Sequence, residues 1–290
     1  MKINTVFRKR FLEKYFLYLF LITSLVFFSG PIEAQLKIYV NTDLEGISGV
    51  FNFTQTREKG SPENLKACEY FMGDLAAVVK GLRDGGATEI VVLDGHGNQA
   101  VVPHLMVEGA TYITGKPRPG TGNLSLLDST FDAMVMIGFH AMNGTDDGVL
   151  CHTQSSRSEN KYWYNGVESG ELVQNAVIAG YYNVPLVMVT GDVATCREAR
   201  QFFGENCVTV ATKKGLSREA AQLFSFKESR RALYEGAKKA MTVISKNKPY
   251  KLDFPVKAKK EFMGKDPDTG EQKLITKGKV IEHPLNILDI

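Results

Sequence analysis

Asp43 and Glu45 stand two residues apart in Thr42-Asp-Leu-Glu-Gly46. On an extended backbone that spacing turns both carboxylates to one side, and Gly46 and Gly49 let the chain bend sharply beneath them. Two carboxylates facing one point call for a cation, although an isolated Asp-x-Glu is more often a solvated strand end. His96 in Asp94-Gly-His96, His140 in Gly138-Phe-His-Ala141 and Glu171 after Gly170 change that balance. Alone, each has an ordinary explanation: an imidazole bonded to backbone, or a carboxylate complementing a helix dipole. Together they form the mixed nitrogen and oxygen donor set that zinc accepts, although cobalt or manganese suits it too. His152 sits in a loop beyond the His140 segment, Asn175 lies one helical turn after Glu171 on the same face, and Asp192 ends a further apolar run.

Most of these residues share one relation to the chain: each follows a short apolar run. Candidate strands are residues 36–42, 89–93, 111–114, 133–139, 185–190 and 207–211. Most are continuously apolar, as strands covered on both faces are, and functional groups in open parallel α/β sheets gather at the strands' carboxyl ends. Between the strands lie helical stretches. Ser61 can cap the first, with Pro62 at its first position and Gly85-Gly86 to end it; two more are expected over about 168–182 and 228–245. The pattern predicts an α/β fold, a mostly parallel doubly wound sheet with flanking helices. From Lys246 the chain becomes Lys-rich, and Lys265-Asp-Pro-Asp-Thr-Gly270 reads as a turn. The expected organisation is a signal peptide over 1–34, an α/β domain over 35–250 and a small β appendage over 251–290.

The 290 residues carry a formal net charge of +3, inflated by Lys2, Arg8, Lys9, Arg10 and Lys14. Without these the balance is near neutral, which gives no footprint for nucleic acid. A charge-free apolar run, Tyr15 to Phe28, follows, and Ser29-Gly-Pro-Ile-Glu-Ala34 supplies small and helix-breaking residues. That is the layout of a secretory signal, so the expectation is export to a periplasmic or extracellular location with no stable membrane association after cleavage. Spacing alone does not pair the four cysteines, and buried free thiols are as good a reading as bridges. No GxSxG elbow, P-loop or GxGxxG after a strand is present. Gly115 to Gly122, rich in glycine and proline, reads as a surface loop. The remaining rivals are a metallohydrolase acting on an ester, lactam or phosphate and an exported, non-catalytic solute-binding protein.

Asp43-Leu-Glu-Gly-Ile-Ser-Gly49, Asp94-Gly-His96, Gly138-Phe-His-Ala141, Gly148-Val-Leu-Cys-His152, Gly170-Glu-Leu-Val-Gln-Asn175 and Ala179-Gly-Tyr-Tyr-Asn-Val-Pro185 with Val189-Thr-Gly-Asp192 resemble, in order and spacing, the DppA-type D-aminopeptidases. The resemblance covers about residues 36–250. It implies a metallo-aminopeptidase that releases the N-terminal residue of short peptides, D-residues above all. It also implies two Zn2+ per chain: Asp43 bridges both, Glu45 completes one, and His96, His140 and Glu171 hold the other. By the same resemblance His152 is the catalytic histidine, Asn175 and Asp192 stand behind the ligands or touch substrate, and the chain assembles into a homo-oligomeric ring, a decamer.

Overall fold

Ile38 and Val40 pack to one side of the first strand and Tyr39 to the other. The next inner strand divides in the same way, with Ala133, Val135 and Ile137 opposite Met134 and Met136. Continuously apolar runs are thus the signature of a sheet buried on both faces. The computed structural model describes residues 35–97, 99–118, 123–266 and 269–290. The expected signal sequence, residues 1–34, lies outside them.

The main sheet has strands β1 (Lys37–Thr42), β2 (Glu89–Asp94), β3 (Thr111–Ile113), β4 (Ala133–Ile137), β7 (Leu186–Asp192), β8 (Val208–Ser217) and β9 (Ala220–Leu223). Their order is β3-β2-β1-β4-β7-β8-β9. All neighbours run parallel except β9, which returns antiparallel to β8. The chain builds outward from β1 to β3 and then crosses back to β4 on the other side of β1, so β1 and β4 flank the point where strand order reverses. Ligand sites of open α/β sheets form in the crevice at that point.

One face is covered by α2 (Pro62–Asp84) and α5 (Phe226–Met241); the other carries α3 (Glu171–Tyr181). Ser61 caps α2 by accepting from Asn64 N–H at 3.1 Å, with Pro62 in the first turn. Two helices were not foreseen: α1 (Phe53–Arg57), closed by an Asn52–Gln55 capping box, and α4 (Val193–Phe203), which starts directly at the end of β7. The Lys-rich tail forms the hairpin β10 (Val256–Lys265) and β11 (Gln272–Ile281). It extends into an antiparallel sheet, β11-β10-β5-β6, by pairing with β5 (Lys161–Tyr164), which also pairs with β6 (Val167–Glu168). Val256, Ala258, Ile281 and Ile287 pack with Tyr162, Tyr164 and α3, and Leu36–Ile290 forms one compact unit. All four cysteines are free and buried.

Gly46, in the bend after β1, is forced by close approach. A Cβ there would lie 2.0 Å from Phe139 O, 2.6 Å from Gly138 C and 2.8 Å from Gly191 Cα. All three are backbone atoms of neighbouring strand ends, so no side-chain rotation relieves the clash. Gly46→Ala is expected to lower unfolding free energy by at least ~3 kcal/mol, read as the denaturation midpoint against wild type.

Candidate metal centre

β1 ends at Thr42, and the turn that follows is pinned from every side. Asp43 N–H donates to Ile137 O (2.8 Å) and Gly46 N–H to Gly138 O (2.7 Å). Ser48 N–H donates to Asp74 Oδ2 (2.9 Å), and Thr212 Oγ1–H bonds Gly46 O (2.6 Å). Beneath them Lys213, fully buried, points its Nζ at Glu45 O (2.6 Å) and Ile47 O (2.7 Å). Burial lowers the lysine to about 8, with Asp192, Asp74 and Glu45 opposing the drop, so it keeps its proton at neutral pH. Lys213→Met retains the stem and strands two buried carbonyls. The expected result is about 3 kcal/mol lost in urea unfolding, together with weaker metal uptake because the Asp43–Glu45 turn is no longer held.

On that turn the imidazoles and carboxylates converge. His96 Nδ1 lies 2.9 Å from Asp43 Oδ1 and 3.3 Å from Glu45 Oε2. His140 Nε2 lies 3.3 Å from Asp43 Oδ2 and 3.6 Å from Glu171 Oε1. His152 Nε2 is 3.9 Å from Glu171 Oε1, and its ring stacks on His140 with centroids 3.9 Å apart. Glu171 opens α3, where the helix dipole favours a carboxylate, and its Oε1 accepts from Gln154 N–H at 2.6 Å.

The second nitrogen of each ring fixes its tautomer. A backbone carbonyl only accepts, so His96 Nε2–H donates to Thr56 O (3.0 Å), His140 Nδ1–H to Ala141 O (3.0 Å) and His152 Nδ1–H to Leu150 O (2.8 Å). In each neutral ring the other nitrogen carries a lone pair, and it faces carboxylate oxygens. Lone pair against lone pair is unfavourable unless a proton or a metal lies between them. His140 Nε2 and Glu45 Oε2 are buried without a hydrogen-bond partner, because their neighbours are near but wrongly angled. Asp43, Glu45 and His140 offer ligand atoms within 4.8 Å of one another, as do His140, His152 and Glu171. Carbonyl-anchored imidazoles beside buried carboxylates are how proteins orient metal ligands, and the residues present fit zinc.

Protons compete for the same places. Burial pulls His96 and His140 down, but the acids around them prevail and hold both well above the usual imidazole range; Asp43 is correspondingly held well below the usual carboxylate range. Burial raises Glu171 to about 7, whereas burial and the charge of His140 lower His152 to about 4. Metal and protons therefore compete for the same donors, and a cation bound here would displace the protons of His96 and His140.

Five of the residues singled out in the sequence, Asp43, Glu45, His96, His140 and Glu171, meet at the β1/β4 crevice, with His152 against them. Asn175 lines the same cavity and its Nδ2–H bonds Glu171 O (2.8 Å). Asp192 is not among the residues lining it. Its Oδ1 caps α4 by accepting from Thr195 N–H and Oγ1–H (both 2.7 Å), and its Oδ2 accepts from Val149 N–H (2.6 Å), steadying the loop that carries His152. Asp94, which precedes the His96 motif, binds Ala100 and Val101 N–H and Thr114 Oγ1–H instead. Arg57, Lys116, Arg118 and Arg157 line the cavity and were not anticipated; Lys116 and Arg118 belong to the segment read as a plain surface loop.

A doubly wound sheet with carboxylates and imidazoles gathered at its switch point defines a class, the α/β proteins with a built metal centre. A family profile described as D-aminopeptidase matches residues 36–270. The D-aminopeptidase of Bacillus subtilis (strain 168) is 32% identical over 222 residues, covering 74% of this chain and 77% of its own. Among solved structures, the zinc-dependent D-aminopeptidase DppA from Bacillus subtilis, a self-compartmentalizing protease, superimposes with a TM-score of 0.77 at 26% identity, over 88% of this chain and 94% of that one. The chain belongs to the D-aminopeptidase family.

Proposed function

We propose that this protein is a zinc-dependent aminopeptidase that releases the N-terminal residue of short peptides, with D-residues preferred, after export. The observation that carries the reading is the convergence of three carbonyl-anchored imidazoles on buried carboxylates, with His140 Nε2 and Glu45 Oε2 left without a hydrogen-bond partner. Asp43, Glu45, His96, His140 and Glu171 would hold two zinc ions, with Asp43 central because each of its oxygens faces a different histidine. Zinc held there supplies Lewis acidity toward a carbonyl and lowers the pKa of water toward ~7.

The protein's own groups do the rest. His152 is neutral at physiological pH, and its Nδ1–H is committed to Leu150 O, so Nε2 is the atom that accepts a proton or hands one to the departing amine. Phe53 packs edge-on to His152, with ring centroids 6.4 Å apart, and limits its swing. One zinc or a carboxylate of the floor would hold the substrate's free α-amine, which favours action at a peptide's N-terminus. The relative's self-compartmentalizing assembly supports a homo-oligomer here, a decameric ring in our reading, and the apolar run at 15–28 supports export.

The test is metal content per chain on protein beginning at Gln35, with release of D-alanine from D-Ala-D-Ala and of L-alanine from the L-dipeptide. Two zincs and D-selective release are expected. Zinc with no release from either dipeptide would move the reaction to an ester, lactam or phosphate, and no stoichiometric metal would leave a solute-binding protein.

A further inference from the structure

The cavity above the cluster encloses about 1000 Å³, at the upper end of small-molecule sites and suited to a few residues of peptide. Only its floor is acidic. Its rim carries four cations from three segments: Arg57 on α1, Lys116 and Arg118 after β3, and Arg157 beyond His152. The chemistry assigned above uses none of them.

Two of these cations are fixed in place. Arg57 donates from Nε to Ser156 Oγ (2.8 Å) and from Nη2 to Ser156 O (2.5 Å), and its guanidinium lies 3.3 Å from the centroid of the Phe53 ring. Arg118 Nη1–H donates to Asp94 O (2.5 Å), which ties it to the end of β2. The cations also crowd one another. Burial and the charges of Arg157 and Arg218 push Arg57 toward losing its proton, against the pull of Glu219 and Glu45. Arg218, whose guanidinium lies 5.2 Å from the Phe53 centroid, keeps a buried Nη2 with no hydrogen-bond partner. Arg218 is already answered by Glu159, 2.8 Å from its Nη1, so Arg57 and Arg118, which line the cavity, are the arginines placed to meet an anion there.

Divalent cations on the floor would neutralise its carboxylates, and the rim would then leave the cavity positive. A peptide's ammonium end enters such a cavity poorly unless an anion travels with it. In a dipeptide or tripeptide the anion is the terminal carboxylate, set only ~3.5 Å per residue from the amine end. We propose that the arginine rim, Arg57 and Arg118 foremost, binds the terminal α-carboxylate of the substrate, so that the substrate class is free-acid dipeptides and tripeptides. This rests on the aminopeptidase reading. It makes the rim a ruler: a longer peptide carries its carboxylate out of the cavity and loses the contact.

The experiment measures kcat and KM of the zinc-loaded protein on D-Ala-D-Ala, on D-Ala-D-Ala amide, and on D-Ala-D-Glu α-amide, whose only carboxylate is in the side chain. The free acid is expected to exceed both amides at least ~10-fold in kcat/KM, chiefly through KM, as charge-assisted bonds to one carboxylate give. Its KM should rise with ionic strength while the amide's stays level. In Arg118→Met and in Arg57→Met, checked for zinc content, the acid and amide constants should converge. Equal constants for acid and amide in the wild type would overturn the proposal and leave the aminopeptidase standing. Turnover of the D-Glu α-amide as fast as the free acid would overturn the terminal assignment, and no release from any of the three would overturn the aminopeptidase reading itself.

Discussion

Replacing Asp43 with asparagine is expected to empty the centre and end turnover. Asp43 lies within ion-pair distance of both proposed histidine ligands, 2.9 Å from His96 Nδ1 and 3.3 Å from His140 Nε2. Asparagine matches its shape but loses the charge, and one of its two arms becomes an N–H donor that no metal accepts as a ligand. Metal analysis after dialysis should find the variant depleted, and kcat/KM on D-Ala-D-Ala should fall by at least ~1000-fold, the scale of a lost metal function. The thermal midpoint of wild type should rise with added zinc, as ligand linkage requires, while that of the variant stays level. An Asp43→Asn protein that keeps two zincs would show that Asp43 is not the bridging group.

His152→Ala should separate chemistry from metal binding. The ring is neutral, its Nδ1–H is spent on Leu150 O, and it stacks on a proposed ligand without pointing at the Asp43–Glu45 pair. If it moves protons, kcat should drop ~100- to 10,000-fold with KM little changed, and zinc content should stay near that of wild type. His152 also falls within ligand distance of His140 and Glu171. Loss of one zinc per chain from this variant would therefore make it a ligand and send the proton-transfer role elsewhere.

The residues that converge at the crevice were legible because buried parallel strands announce themselves as apolar runs, and the residue after each run must sit at the sheet's edge. The parts that escaped are those where a local rule gives two answers. Asn52 and Gln55 carry a capping box, but α1 is five residues long and its apolar period too short to register. Asp192 ends β7 and also begins α4: one carboxylate oxygen caps the helix and the other holds the His152 loop, a division of labour that a strand-end position does not reveal. β8 was expected to stop at Ala211; the strand runs on to Ser217, with Lys213 buried under the Glu45 carbonyl. β5 and β6 are short, and β10, which pairs with β5, lies about a hundred residues later, a pairing that no local pattern encodes. The cationic rim was hidden for the same reason: scattered arginines read as solvated surface until the fold brings them around one cavity.

Lys213 has a further consequence, in time rather than in space. It reaches the first loop of the domain from β8, so the turn carrying Asp43 and Glu45 has no floor until residue 213 has been made and its strand has docked. The two bonds span 168 and 166 residues, so they close only once the sheet has formed through β8. On the zinc reading, the acidic turn would reach its final shape, and metal its final site, at the end of folding.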